Sequence, residues 1–176
     1  RCYLTGKGID PMKLSGILLF AAFLFCAFLC AGEEREIGFG AEWPLKGTLI
    51  VPDGGNGPFP LVVLVHGSGP QDRDETLGPN RPFRDIARDL ERAGVATLRY
   101  DKRTRAHGAR VAKLNDYSLD EEVIDDAVLA VEFAAKQERI DPGRIFVLGH
   151  SLGGMLLPRI AAATAIPAGY IFMAAP

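Results

Sequence analysis

The chain has 176 residues, of which 48% are apolar and 24% are charged, and its formal net charge is −2. This composition is typical of one globular domain and excludes a disordered or collagen-like chain. The mildly acidic balance lacks the concentrated positive charge that nucleic-acid binding requires. We therefore expect no nucleic-acid partner.

Residues 14–31 form a nearly unbroken apolar segment near the start of the chain. The basic Lys13 precedes it, and the small residues Ala31 and Gly32 end it, as at the cleavage site of a secretory signal peptide. Met12 is a natural start for such a signal, so the residues before it are interpreted as upstream sequence.

This interpretation divides the chain into residues 1–32, which are upstream sequence and signal peptide, and residues 33–176, the folded domain of an exported protein. An uncleaved segment that anchors the protein in a membrane is the alternative. Lipoprotein processing at Cys26 or Cys30 is less well supported, because a bulky residue precedes each cysteine. Residues 33–176 contain no cysteine, so this part forms no internal disulfide even in an oxidising compartment.

Four short apolar runs, rich in β-branched residues, predict strands buried on both faces of a parallel sheet. They lie at residues 61–65, 95–100, 145–148 and 170–174. Two weaker strand candidates, at 37–39 and 45–51, come earlier in the chain. We expect these two to form an antiparallel hairpin at the edge of the sheet.

Two helices are predicted between these strands. Residues 83–93 place apolar side chains at helical spacing, and Gly94 ends the helix. Ser118 and Glu121 form a capping-box pattern at the start of the second helix, which precedes a turn at 141–143. Its predicted buried residues are Val123, Ala127, Ala130, Val131 and Ala134. The alternation of strands and helices predicts a three-layer α/β domain with right-handed crossovers.

The motif Gly149-His150-Ser151-Leu152-Gly153 follows one predicted strand directly and precedes a predicted helix. A tight strand-to-helix turn needs small residues beside the serine, and it lifts the hydroxyl above the sheet. The pattern therefore predicts that Ser151 is a nucleophile. A glycine-rich loop that only packs tightly is the alternative interpretation.

A second turn, His66-Gly67-Ser68-Gly69, follows the strand at 61–65. Acyl transfer needs donors directed at the oxygen that becomes negative in the tetrahedral intermediate, and backbone N–H groups of a fixed turn can supply them. We assign this oxyanion hole to the N–H groups of Ser68 and Leu152. Alternatively, Gly67 and Gly69 only permit a turn.

These motifs, HGSGPQDRDETLGPNRPF, then RYDKRT, then GHSLGG, resemble bacterial esterases of the α/β-hydrolase superfamily, near its prolyl-oligopeptidase-like and serine-aminopeptidase-like branches. The resemblance runs from about Ile37 to the end of the sequence. It implies a mostly parallel sheet with helices on both faces, Ser151 as nucleophile, and carboxylic esters or related acyl compounds as substrates. It leaves the particular substrate open.

The sequence departs from the family pattern, in which an acid and then a histidine follow the nucleophile along the chain. The three histidines are His66, His107 and His150, and none stands at the position of the general base. A serine hydroxyl without a base is a weak nucleophile near neutral pH. We therefore expect that the fold is incomplete at the C-terminus and that the triad acid and histidine lie outside this chain.

Two charged clusters flank these turns. Residues 71–75 (QDRDE) could orient substrate or a lid, but alternating charges in a loop more often form local ion pairs and caps. A basic cluster could hold a substrate carboxylate, or it could pair with Asp101 and with Asp72 or Asp74 to fix two loops. It consists of Arg99, Lys102, Arg103, Arg105 and Arg110.

The leading hypothesis is an exported serine hydrolase that cleaves small carboxylic esters through an acyl-enzyme on Ser151. An aminopeptidase or acyl-peptide hydrolase of the same fold is one alternative, and a catalytically inactive hydrolase fold used as a binding module is another. No metal-binding or nucleotide-binding pattern occurs in the sequence, so we expect no cofactor.

Overall fold

The computed structural model describes residues 32–175. The predicted signal peptide and the possible lipoprotein cysteines lie outside the described residues. Within residues 32–175, no helix is long and apolar enough to cross a membrane.

Six strands form one sheet in the order β1-β2-β4-β3-β5-β6. The predicted hairpin, β1 with β2, lies at the edge and is antiparallel, and β2 is also antiparallel to β4. The pairs β3 with β4, β3 with β5 and β5 with β6 are parallel. The strands are β1 (Glu33–Phe39), β2 (Leu45–Val51), β3 (Phe59–Val65), β4 (Ala96–Tyr100), β5 (Ile140–His150) and β6 (Gly169–Met173).

The helices in the described part of the chain are α1 (Pro82–Arg92), α2 (Arg103–Ala106), α3 (Gly108–Val111), a π-turn (Asp120–Ile124), α4 (Asp125–Ala134), α5 (Leu152–Met155) and α6 (Leu157–Ala163). The side chains of β3 alternate between two apolar layers because successive residues of a strand point to opposite faces. Val63 packs in the layer that contains α4 and α6, and Leu64 packs in the layer that contains Phe83 of α1. Helices therefore cover both faces of the sheet, as predicted.

The predicted boundaries of α1 are confirmed within two residues. Pro82 stands in the first turn, where its missing N–H costs no hydrogen bond. Gly94 has φ +79, and its N–H donates to the carbonyl of Glu91, while the N–H of Val95 donates to Leu90. This left-handed residue ends the helix and turns the chain into β4.

The second predicted helix differs at its start. The capping box is present, since the N–H of Ser118 donates to Glu121 Oε2 at 2.9 Å and the Ser118 hydroxyl contacts the same carboxylate. However, the first turn is a π-turn, and regular α-helix begins only at Asp125. All five residues predicted to be buried, from Val123 to Ala134, are buried.

Strand β5 is longer than the apolar run 145–148 predicted. It begins at Ile140, and the turn predicted at 141–143 lies within it as an irregularity. Gly143 N–H donates to Asp141 Oδ1, which satisfies the backbone locally while the strand continues. At the far edge of the sheet, Ile171 and Phe172 of β6 are 44% and 59% exposed.

Candidate active site

Ser151 lies between the end of β5 and the start of α5, and its backbone has φ 49 and ψ −114. This conformation is unfavourable for a residue with a side chain, and such strain is concentrated at functional sites. The Ser151 N–H is held by the carbonyl of Met173 at 3.0 Å. Ser151 is half-buried, so its side chain does not lie in the packed interior.

Gly149 and Gly153, each two residues from Ser151, must lack a Cβ because other backbone atoms approach them closely. A Cβ on Gly149 would lie 2.5 Å from the carbonyl oxygen of Gly153. A Cβ on Gly153 would lie 2.5 Å from the carbonyl oxygen of Val65, at the end of β3. Real Cβ atoms do not approach backbone atoms so closely, which explains the small residues of the motif.

The two predicted turns meet at the carboxyl edge of the sheet. Strands β3 and β5 are parallel neighbours, with Val65 opposite Gly149, so the segments that follow them leave the sheet side by side. A Cβ on Gly67 would lie 3.4 Å from the Cβ of Ser151. The turn at 66–69 therefore lies beside Ser151.

The assigned oxyanion amides lie on these two turns. Ser68 follows Gly67, and Leu152 is the first residue of α5. The N–H of Gly67 is already taken by Glu75 at 2.7 Å. Among residues 32–175, neither the N–H of Ser68 nor that of Leu152 donates to another backbone or side-chain group.

His66 does not face Ser151. It is 1% exposed, and its ring packs against the rings of Phe83 and Tyr100, with centroid distances of 5.3 and 5.2 Å. Burial, assisted by the nearby Lys102 ammonium, lowers the pKa of His66 to about 3. The imidazole is therefore neutral near pH 7 and belongs to the packed base of the turn.

The rings of the other two histidines are bound to groups other than Ser151. His150 Nδ1 lies 2.9 Å from Glu75 Oε1. His107 Nε2 lies 2.8 Å from the carbonyl of Pro44, and its ring packs edge-on against Trp43. Within residues 32–175, no histidine ring forms a hydrogen bond with the Ser151 hydroxyl.

Glu75 contacts both turns, which the sequence analysis does not predict. It belongs to the charged run 71–75, but its side chain is 1% exposed. A signal existed only in the proximity of an acid to the HGSG motif, and the contact with His150 spans 75 residues of sequence.

The rest of the charged run fixes the loop, as the structural interpretation expected. Asp72 Oδ1 accepts the N–H groups of Asp74 and Thr76. The Arg73 guanidinium binds the Asp101 carboxylate at 2.9 Å, and Arg99 binds Asp74. The loop after β3 is therefore tied to β4 and to the segment after it.

The basic cluster after β4 is also largely paired. Lys102 Nζ contacts Glu122 at 2.8 Å and donates to the carbonyl of Gly67 at 3.0 Å. Arg103 Nε contacts the carboxylate of Asp126 at 3.1 Å, and both side chains are buried. Burial raises the pKa of Asp126 to about 6 even though the guanidinium opposes this shift.

A cavity of about 640 Å³ lies between the β1–β2 connection and the segment after β4. Its lining includes Trp43, Arg103, Arg110 and Tyr117, and none of its lining residues belongs to the two turns. The Arg110 guanidinium lies 3.6 Å from the centre of the Trp43 ring, and its side chain is half exposed.

A strained serine follows a parallel strand and lies beside the turn at 66–69, and each of the two turns carries one unused amide. This arrangement is typical of the class of α/β hydrolases. The chain belongs to the alpha/beta hydrolase family, whose model matches residues 62–176. This match covers more than half of the chain and includes both turns.

Two curated proteins share sequence with the chain. It is 49% identical over 129 residues to Esterase EstD of Thermotoga maritima, which covers 73% of this chain and 29% of EstD. It is 31% identical over 102 residues to Protein phosphatase methylesterase 1 of Candida albicans, which covers 58% of this chain and 24% of that protein. The chain thus spans less than a third of the length of these relatives.

A solved structure with the same fold is the alpha/beta hydrolase GrgF from a Penicillium species. The TM-score is 0.63 at 19% identity, and the alignment covers 81% of this chain and 46% of GrgF. At this identity the comparison shows the fold alone.

Proposed function

We propose that the chain carries the nucleophile and the oxyanion turn of a serine esterase. The observation that carries the proposal is the close approach of the turn at 66–69 to the turn at 149–153. A Cβ placed on Gly67 would lie 3.4 Å from the Cβ of Ser151. The names of the two curated relatives, an esterase and a methylesterase, support esters as the substrate class.

In the proposed reaction, the hydroxyl oxygen of Ser151 attacks the carbonyl carbon of the ester, and a general base takes the hydroxyl proton. The carbonyl oxygen becomes negative and accepts hydrogen bonds from the N–H groups of Ser68 and Leu152. Collapse of this intermediate breaks the bond to the alcohol oxygen, which takes the proton from the base and leaves as the alcohol. The acyl group remains on Ser151. Water then attacks the acyl carbon and releases the carboxylic acid.

We further propose that the triad acid and histidine are supplied by residues outside this sequence. The support is that His66 is buried and that His107 and His150 are bound to groups other than Ser151. Sequencing the gene beyond codon 176 tests this point. An aspartate or glutamate followed by a histidine is expected there, and a stop codon at that position in a gene whose product is active would contradict it.

Labelling by a fluorophosphonate probe and hydrolysis of p-nitrophenyl acetate test the proposed function. The protein encoded by the whole gene should be labelled at Ser151 and should hydrolyse the ester. Ser151→Ala should abolish both while leaving thermal unfolding nearly unchanged, because Ser151 is half-buried. Labelling that survives Ser151→Ala would contradict the assignment.

The same assay separates the alternatives. Faster hydrolysis of aminoacyl-nitroanilides than of p-nitrophenyl esters would favour an aminopeptidase. Ligand binding that is unaffected by Ser151→Ala, in a protein without hydrolytic activity, would indicate a binding module.

Export is a separate proposal that rests on residues 12–32 of the sequence. N-terminal sequencing of the secreted protein should find a start near residue 32. A product that begins at Met12 and stays in the cytoplasm would contradict it.

A further inference from the structure

A pair of buried charged side chains contacts Gly67 from both sides. Glu75 Oε1 accepts the Gly67 N–H at 2.7 Å, and Lys102 Nζ donates to the Gly67 carbonyl at 3.0 Å. The side chains of Glu75 and Lys102 are 1% and 2% exposed. Burying two charged groups is costly unless they make specific contacts, so their convergence on one glycine requires an explanation.

We propose that Glu75 and Lys102 are positioning residues that hold the Ser68 N–H in the oxyanion hole. This inference rests on the proposed esterase function. It concerns the orientation of a donor and assigns neither residue a contact with substrate.

Peptide geometry connects the contact to the donor. The carbonyl of Gly67 and the N–H of Ser68 belong to the same planar peptide unit, in which a trans bond directs them in opposite directions. A bond from Lys102 to that carbonyl therefore sets the direction of the Ser68 N–H. The bond from Glu75 to the Gly67 N–H fixes the preceding peptide unit, so both units that flank Gly67 are held.

Glycine makes this restraint necessary. A residue without a Cβ has wide conformational freedom. A Cβ on Gly67 would lie 3.1 Å from Glu75 Oε1 and 3.3 Å from His150 Nδ1, so glycine fits this tightly filled space. Without outside contacts, the peptide unit between Gly67 and Ser68 could rotate at small cost. The two buried charges supply the restraint that a side chain would otherwise provide.

The two charged groups are themselves held by their surroundings. Glu75 has φ 52, and its N–H donates to the Asp72 carbonyl at 2.9 Å. Its Oε1 also contacts His150 Nδ1, which lies next to the nucleophile candidate. Lys102 is fixed by Glu122 at 2.8 Å. The Glu75 carboxylate thus links the turn at 66–69 to the turn at 149–153.

A positioning role predicts a specific kinetic effect. The Ser68 N–H interacts most strongly with the negative oxygen of the transition state, so its misplacement lowers kcat and leaves KM nearly unchanged. Displacement of a catalytic group by about 1 Å costs roughly 10²-fold in rate. We expect Glu75→Ala and Lys102→Met each to lower kcat by about ten- to hundredfold.

The decisive readout compares p-nitrophenyl acetate with its thiono analogue, in which sulfur replaces the carbonyl oxygen. Sulfur is a weaker hydrogen-bond acceptor than oxygen. The kcat/KM value for the oxygen ester divided by that for the thiono ester therefore reports how well the amides are aligned. This ratio should fall in Glu75→Ala and in Lys102→Met. Glu75→Gln retains an acceptor at Oε1 and should restore most of the ratio.

Asp74→Ala is the matched control, because Asp74 lies in the same loop as Glu75, pairs with Arg99 of β4 and makes no contact with Gly67. It should lower thermal stability and leave the ratio unchanged. Glu75→Asp keeps the charge and shortens the side chain by one methylene. It should fold and still show a reduced ratio, which provides the test if Glu75→Ala does not fold.

Equal ratios in the wild type, Glu75→Asp and Lys102→Met would overturn the inference while the proposed function stands. A wild-type protein that is neither labelled at Ser151 nor active on esters would overturn the proposed function, and the inference with it.

Discussion

Gly153, two residues after the nucleophile candidate, lies directly against Val65 at the end of β3. A Cβ at position 153 would stand 2.5 Å from the carbonyl oxygen of Val65 and 2.6 Å from that of His66. The helix that begins after Ser151 is therefore seated on the neighbouring strand. This contact brings the serine turn to the oxyanion turn.

Gly153→Ala should destabilise the protein because a backbone carbonyl cannot move aside as a flexible side chain can. Overpacking of this kind typically costs about 1–3 kcal/mol. Urea unfolding at pH 7 measures the loss. Gly54→Ala is the control, since nothing lies within 4 Å of a Cβ at that position, and its effect should stay within about 0.5 kcal/mol. Equal stability of the two variants would contradict the described seating of α5.

Arg103→Ala should destabilise the protein far more than Arg110→Ala. Removal of Arg103 leaves the buried carboxylate of Asp126 without its partner, which typically costs about 3–5 kcal/mol. Arg110 is half exposed and stacks on Trp43, a contact worth about 0.5–1 kcal/mol at such sites. Thermal and urea unfolding provide the comparison.

The double variant Arg103→Met with Asp126→Leu separates a lost ion pair from lost packing. It should recover much of the stability, since an apolar pair of similar volume often replaces a buried ion pair without loss.

We also expect Arg103→Ala to lower turnover of neutral and anionic esters equally. A loss confined to anionic esters would instead support the carboxylate-binding role.

The buried His66 should make stability fall in acid. Its pKa is about 3 in the folded protein and 6.5 in an ordinary environment, so the unfolded chain binds more protons between these values. The free energy of unfolding contributed by this group therefore decreases as pH falls below 6.5. Between the two pKa values, each pH unit lowers this contribution by about 1.4 kcal/mol.

Asp126 acts in the opposite direction, because its raised pKa lets the folded protein bind a proton earlier between pH 6 and 3.8. Asp126 contributes equally in the wild type and in His66→Asn, so the difference between these two proteins reports His66 alone. Between pH 7 and pH 5, the wild type should lose about 2 kcal/mol relative to the variant. Parallel stability profiles would show that His66 titrates normally.

Much of the fold could be predicted because its strands are short apolar runs that are buried on both faces. The runs at 61–65 and 95–100 lie within one or two residues of β3 and β4. Strand β5 was predicted too short. The residues at 141–143 are typical of a turn, and only the pairing of Ile140 with Phe59 shows that the strand continues around it.

The two turns could be predicted because each depends on local backbone geometry. Small residues beside Ser151 and a tight turn after β3 are visible in the sequence, and the structure brings them together. The position of Glu75 depends on a tertiary contact with His150, far along the chain, and the closeness of an acid to the HGSG motif does not predict that contact. The pairing of Arg103 with Asp126 depends on tertiary structure in the same way.

We propose that the hydroxyl of Ser151 faces the amides of Ser68 and Leu152. A crystal structure of the protein after reaction with a fluorophosphonate tests it most directly. The phosphonyl oxygen should lie about 2.7–3.1 Å from both amide nitrogens. An adduct on Ser151 whose phosphonyl oxygen points away from the turn at 66–69 would contradict the account.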